Sequence, residues 1–365
     1  MEEDMIHESK PIADGFIMPA EFEPHSGCLM LWPFRGDNWR DGAEPARKTF
    51  AKVANLIALS ERLYMGAREE DIDRAELFLT PDAKTIELDY DDSWMRDIGP
   101  TCIKNRKSGE IRTVNWEFNA WGGEKDGLYD SWEKDAGVAG TVSNYLKFDQ
   151  YKPGVVLEGG AVQVDGQGTL IAVEECVLSG NRNTGMTKER MEEVFRDYLG
   201  IRKTIWLPKG VFNDETNGHV DNLCCFTDVG KVLLTWTEDR NDPQYERSAN
   251  AFEILSRTKD ASGNSLMVEK ILQPGPLYMK AEESTGVQKG HAVARVKGNR
   301  LAASYVNFYI ANHVVIVPVF NDINDTAALE KIQSHFPERR IIPVYSREIL
   351  LGGGNIHCIT QQIPK

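Results

Sequence analysis

The chain has no apolar run that could cross a membrane. Its longest, Val314 to Phe320, is interrupted by Pro318 and falls far short of the roughly 18 residues a spanning helix needs. It has no C-x-x-C pair: six cysteines lie scattered, which suggests neither a disulfide framework nor a metal site such as zinc. Basic residues are in deficit, 42 against 56 acidic ones, for a formal charge of −14. Nucleic acid is therefore a poor partner, since phosphates require concentrated Lys and Arg. The start, Met1-Glu2-Glu3-Asp4, is acidic where a secretory or organellar leader is basic. No Pro-, Ser- or charge-rich linker and no low-complexity stretch divides the chain. A reduced, cytoplasmic protein is expected, one domain over residues 1–365, with the first ~14 residues flexible.

What is present is ordinary globular material, with 41% hydrophobic and 27% charged residues. The acidic balance favours cationic ligands and speeds their encounter, or serves solubility alone. Four segments carry apolar residues at helical spacing: Phe50, Val53, Ala54 and Ile57; Met191, Val194, Phe195 and Tyr198, between Thr187 and Gly200; Tyr245, Ala249, Phe252 and Leu255; and Leu329, Ile332 and Phe336, opened by Asp325 and closed before Pro337. Between them, β-branched runs read as strands: Val155-Val156-Leu157, Thr169 to Val173, Val232 to Thr235, and Val314 to Val317. The class is α/β.

A degenerate repeat runs through these elements. Four polar, Gly-bearing corners interrupt the strands: Met95-Arg96-Asp97-Ile98-Gly99, Glu158-Gly159-Gly160, Asn217-Gly218-His219-Val220-Asp221, and Gly352-Gly353-Gly354-Asn355-Ile356-His357-Cys358. Asp97, Glu158 and His219 follow one another at about sixty residues, and Cys358 comes roughly two such intervals and an insertion later. A fifth unit falls around Leu301 to Phe320, where no corner carries an obvious reactive group. Periods this long suggest radial repetition, a propeller whose equivalent corners converge at one end of a central channel. Gly-rich turns recurring by coincidence are the alternative.

If the corners converge, Asp97, Glu158, His219, Asp221 and Cys358 share a pocket. Thiolates normally form beside a cation, whereas three carboxylates raise one another's pKa and that of the thiol. Such a set makes sense when the substrate brings the positive charge. A guanidinium is the natural candidate, being planar, permanently cationic and forked to match carboxylates two by two. Asp97 and Asp221 would hold it, and Cys358 would attack its central carbon. His219 would protonate the leaving nitrogen and then activate water, with Glu158 orienting His219 or the guanidinium. In an extended segment His219 and Asp221 point one way and Val220 the other, while His357 points away from Cys358 and is a poor base for it. Trp94 is either a pocket wall or a core tryptophan. Cys224 and Cys225 sit in a strand-like run and read as packing residues.

Trp94-Met95-Arg96-Asp97-Ile98-Gly99-Pro100, Asn119-Ala120-Trp121-Gly122-Gly123, Leu157-Glu158-Gly159-Gly160, Thr216-Asn217-Gly218-His219-Val220-Asp221 and Gly353 to Gln362 resemble the agmatine deiminases, also called agmatine iminohydrolases. The likeness runs from about Gly15 to Pro364 and includes Met18-Pro19-Ala20-Glu21 and Asp37-Asn38-Trp39-Arg40. The resemblance implies a five-bladed, pseudo-symmetric α/β-propeller of the guanidine-modifying (pentein) superfamily. It also implies hydrolysis of agmatine to N-carbamoylputrescine and ammonia, a step towards putrescine. By that resemblance Cys358 is the nucleophile, His219 the general acid/base, Asp97 and Asp221 the guanidinium ligands and Glu158 their support. Trp94 becomes a substrate-pocket tryptophan, and Gly353 and Gly354 part of a mobile loop. Homodimers or higher assemblies, without metal or organic cofactor, are implied as well.

Agmatine, a dication without a carboxylate, suits the acidic pocket. An arginine deiminase would need a buried Arg or Lys for the α-carboxylate. Rival readings are arginine deiminase, dimethylarginine hydrolase, an amidinotransferase, a thiol protease using Cys358, His219 and Asp221, and a non-catalytic propeller that binds a polyamine or a protein.

Overall fold

The computed structural model describes residues 6–365. The acidic start at Met1 to Asp4 lies outside the described residues. Residues 6–14 make contacts with the body of the molecule. Ile6 bridges to Gln150, His7 meets Asp149 at 2.7 Å, and Lys10 pairs with Asp197.

Five sheets of three or four strands are found among the described residues, and one plan recurs in each. A first strand pairs antiparallel with a second; a helix then crosses over to a third strand, parallel to the second. Val162–Val164 pairs with Thr169–Val173 and, beyond the helix Lys188–Leu199, Lys203–Leu207 runs parallel. Cys224–Asp228, Lys231–Trp236 and Met267–Leu272 repeat the arrangement about the helix Pro243–Arg257. So do Tyr309–Ile310, Val314–Val319 and Arg340–Tyr345 about Asp325–His335. The sheet of Thr101–Asn105, Ile111–Val114 and Gln150–Tyr151 adds Phe16–Ile17 at its edge. In the last sheet the first strand is the C-terminal one: Gln361–Pro364 pairs antiparallel with His25–Leu31, which is followed by Arg62–Ala67 and Lys84–Glu87. The two chain ends are thereby closed on each other.

The helices form for the reasons their sequences give. Thr187 caps Lys188–Leu199 by accepting the Arg190 N–H, and Gly200 ends it at φ 73°. Phe50, Val53, Ala54 and Ile57 are all buried along Glu44–Ala58. In Pro243–Arg257 the buried stripe is Gln244, Ser248, Ala251 and Leu255; it shares Leu255 with the expected face and is otherwise one position off it, with Gln244 and Ser248 hydrogen-bonded to each other inside. The helix Glu133–Leu146 was not expected. Gly137 and Gly140 interrupt its stripe, and packing of Val138, Ala139 and Val142 overrides their poor propensity.

One expected strand is absent. Val155-Val156-Leu157 makes only an isolated bridge, Val156 to Glu117, since Pro153 and Gly154 break the approach. The segment from His219 to Asp221 is likewise not extended: His219 precedes a helical turn, Val220–Leu223. Three clusters of buried apolar residues form the core. Cys358 and Trp94 belong to the first, Leu157 and Val220 to the second, Leu351 and Phe308 to the third.

Candidate active site

Asp97, Glu158, His219, Asp221 and Cys358 each lie in or beside the short turn just ahead of a strand. Asp97 lies in the turn Met95–Ile98 before Thr101–Asn105. Glu158 precedes the 3-10 turn Gly159–Ala161 and the strand Val162–Val164. His219 and Asp221 stand on the turn leading to Cys224–Asp228. Cys358 sits in the turn before Gln361–Pro364. A compact turn suits this task because its backbone amides and side chains point inward together while the following strand anchors them.

These corners meet. His219 Nδ1 is 3.8 Å from Asp97 Oδ2, and its Nε2 is 3.7 Å from Glu158 Oε2. The Cys358 thiol approaches Asp221 Oδ2 at 3.6 Å. Gly160 marks the junction. A Cβ placed there would lie 2.6 Å from His219 Nδ1 and 2.9 Å from both Asp221 Oδ2 and Asp97 Oδ1, so only glycine fits. Its N–H donates to Asp97 Oδ1 at 3.0 Å.

A small pocket opens on Cys358, Asp97 and His219, walled by Trp94, Trp121 and Gly352 to Gly354. Among the described residues its lining includes no lysine or arginine. Trp94 donates its indole N–H to Asp92 Oδ2 at 2.9 Å and packs against Trp39. Gly354 abuts both Trp94 and Cys358: a Cβ there would be 2.6 Å from the indole and 3.0 Å from the Cys358 Cβ. Gly353 has φ 110° and backs onto Arg295 and Glu215. Close packing is thus a second reason for these glycines, beside the flexibility expected of them.

The set is less anionic than the sequence suggests, because cations are built in behind it. Arg182 Nε lies 2.8 and 3.0 Å from the two oxygens of Glu158. Burial would raise the Glu158 carboxyl, but Arg182 and His219 hold it down at about 2. Asp97 has no such partner, and burial, reinforced by Asp221 and Glu158, drives it up to about 6 against the pull of His219. Burial disfavours charge on His219, yet Asp97 and Cys176 raise it well above the usual histidine value. Burial, Asp221 and Asp97 push the Cys358 thiol well up. Without a ligand the site therefore holds a protonated thiol and an imidazolium.

Glu158, Cys176 and His219 have donor atoms within 4.8 Å of one another. A metal ion there would face the Arg182 guanidinium already seated on Glu158, so the grouping does not suit a cation.

The site also draws on residues whose type does not mark them in the sequence. Trp121, within the stretch Asn119 to Gly123, donates to Asp97 Oδ2 at 2.9 Å. Asn307 is the corner residue of the fifth unit, just before Tyr309–Ile310. Its amide nitrogen lies 3.4 Å from the Cys358 sulfur, and its carbonyl accepts the His357 N–H at 3.0 Å. The repeat register pointed to that corner, but an amide did not count as reactive. Arg182 carries no motif and is brought in by folding alone. The expected divergence of His357 and Cys358 is not seen, because the segment is a turn and not extended: His357 Nδ1 and the Cys358 thiol both reach Asp221 Oδ2, while His357 Nε2 faces Glu21.

The profile of the Porphyromonas-type peptidyl-arginine deiminase family matches residues 17–364. A Mycoplasma capricolum subsp. capricolum protein provisionally named an agmatine deiminase is 51% identical over 356 residues, covering 98% of each chain. One from Pectobacterium atrosepticum is 49% identical over 358 residues, 98% of this chain and 97% of its own. The solved agmatine deiminase of Enterococcus faecalis superposes with a TM-score of 0.95 at 42% identity, covering 98% of both chains. With the likeness spanning the whole site and nearly every residue, the chain belongs to the agmatine deiminases, within the Porphyromonas-type peptidyl-arginine deiminase family.

Proposed function

We propose that the protein hydrolyses agmatine to N-carbamoylputrescine and ammonia through a covalent adduct on Cys358. The observation that carries this reading is a pocket where a thiol, an imidazole and a raised carboxyl meet, with no lysine or arginine in its lining among the described residues. Such a pocket receives a guanidinium and offers nothing to an α-carboxylate. The flanking arginines are already engaged: Arg182 by Glu158, Asn217 and the Thr216 carbonyl, Arg295 by Glu215 and Asn38. This favours agmatine over arginine and methylarginines.

In the reaction, Asp97 and Asp221 hold the guanidinium while Trp94 flanks it. The bound cation lowers the cost of ionising Cys358: the thiol gives up its proton to solvent, and the sulfur attacks the central carbon to form a C–S bond. His219 donates its proton to one nitrogen, the C–N bond breaks, and ammonia leaves. Neutral His219 then takes a proton from water, the hydroxide attacks the amidino carbon, and the C–S bond breaks as the new hydroxyl's proton passes to the departing sulfur, which returns the thiol and the imidazolium and releases the carbamoyl product. Arg182 keeps Glu158 ionised beside His219, and the Asn307 amide lies where it can donate to the sulfur. Gly353 and Gly354 let the loop carrying Cys358 shift around the ligand.

The same reading takes the chain as one domain in which the five sheets are the blades of a five-bladed α/β-propeller, acting in the cytoplasm as a homodimer or larger assembly on a route to putrescine. Sizing chromatography with light scattering tests the assembly. For the chemistry, Cys358→Ala is expected to lose ammonia release by a factor of about 10⁴ or more while still binding agmatine. Mass spectrometry of an acid-quenched wild-type reaction should place an amidino group on Cys358. An adduct on another cysteine, or preference for arginine over agmatine in parallel assays, would overturn the proposal.

A further inference from the structure

His357 is buried one residue before Cys358, and both of its ring nitrogens face carboxylates. Nδ1 is 2.9 Å from Asp221 Oδ2, and Nε2 is 2.9 and 2.8 Å from the two oxygens of Glu21. We infer that Glu21 and His357 are positioning residues for the deiminase reaction, clamping Asp221 through Oδ2 so that its other oxygen is presented to the substrate's guanidinium. The inference rests on the reading above and adds to it the device that readies one of the two guanidinium ligands.

The geometry sets the protonation state. An ionised carboxylate only accepts hydrogen bonds, and a neutral imidazole has one nitrogen without a proton. A neutral ring would therefore aim a lone pair at a carboxylate oxygen on one side. Only the doubly protonated ring satisfies both contacts. The charged groups facing it are Glu21, Asp221 and Arg96. Burial and Arg96 work against the charge, Glu21 and Asp221 outweigh them, and the balance is raised above the usual histidine value. Glu21 in turn would be raised by burial, but His357 and Arg96 hold it down at about 2. The cation therefore has a committed anion on its far side.

Asp221 shows the consequence. Its Oδ2 receives the His357 proton and the Cys358 thiol. Its Oδ1 is buried with no hydrogen-bond partner. An orphaned carboxylate oxygen beside the nucleophile is costly unless a donor arrives, and the guanidinium is that donor. Fixing Oδ2 on the imidazolium also stops it from drawing the thiol proton fully. The clamp joins three remote parts of the chain: a loop before the strand His25–Leu31, the turn Val220–Leu223 and the turn bearing Cys358. Arg96 extends it, since Nη1 meets Glu21 Oε1 at 3.2 Å and Gln362 Oε1 at 2.8 Å.

The test uses Glu21→Gln and His357→Gln in the full chain, the first an isosteric change and the second a polar replacement for the ring, each removing one charge of the relay. Steady-state kinetics should show KM for agmatine raised about tenfold to a hundredfold with a smaller loss in kcat. Titration of agmatine into Cys358→Ala proteins carrying the same changes should weaken by the same factor. A fall in kcat with KM and binding unchanged would overturn the proposal, because a merely structural pair lowers the active fraction without touching substrate affinity. A second measurement does not depend on the variants folding. In wild-type protein with nitrogen-15 histidine, the His357 ring should remain doubly protonated at pH 7.5, whereas a neutral ring there overturns the clamp. Failure of wild-type protein to release ammonia from agmatine would instead defeat the activity reading, and the nitrogen spectrum still decides the state of the ring.

Discussion

Asp97 is the side chain whose chemistry depends most on its neighbours. With its carboxyl raised by burial to about 6, it takes up a proton at a pH where an ordinary aspartate stays ionised. The proton removes the negative charge a guanidinium needs, so kcat/KM for agmatine should fall as pH drops through about 6 rather than through about 4. On the alkaline side His219 is raised well above the usual value, and the general acid should persist beyond the ordinary histidine range. A pH profile of kcat/KM checks both limbs. Asp97→Asn should remove the acid limb and lower kcat/KM on the order of 10²-fold or more. Glu158 behaves oppositely although it is equally buried, because Arg182 sits on it. Two carboxylates of one site are thus separated in role by a single guanidinium.

The turns and helices carry different loads. Gly354 lies where a methyl would press on the Trp94 indole and Cys358 Cβ. Gly354→Ala is expected to displace the thiol and reduce kcat/KM about 100-fold, with little change in the unfolding midpoint. Gly137 is the contrasting case. It is exposed within the helix Glu133–Leu146, and a Cβ there meets nothing within 4 Å. Gly137→Ala should stabilise the protein by about 0.5–1 kcal/mol and leave activity unchanged, as urea unfolding and an ammonia assay would show. The four expected helices follow from periodicity, and three of the four expected strands from their β-branched runs. Glu133–Leu146 is hidden because two glycines blur its stripe, and Val155 to Leu157 misleads because β-branched residues also occur in a half-buried loop.

Closure of the chain ties stability to the site. The C-terminal strand Gln361–Pro364 pairs with His25–Leu31, and the Cys358 turn immediately precedes it. Ile363 is buried there at 3% exposure. Ile363→Ala should cost about 2–5 kcal/mol by leaving a cavity in the first core cluster. Activity and folded structure should be lost together along a urea titration, because the nucleophile's turn runs directly into that strand. Trp94, Trp121 and Cys358 of the first core cluster wall the pocket, so the packing of that cluster holds the nucleophile's turn in place.

Residue types and spacing carried the reactive cast: a cysteine behind three glycines, a histidine two before an aspartate, and acids recurring at about sixty residues were legible without coordinates. So were the agmatine deiminase motifs. Charge compensation was not legible, because Arg182, Arg96 and His357 reach their carboxylates across stretches of 24, 75 and 336 residues. Which buried acid is neutralised and which is left for the substrate depends on those distant pairings. No periodicity or local motif records them, since Coulomb interactions act through space and not along the chain.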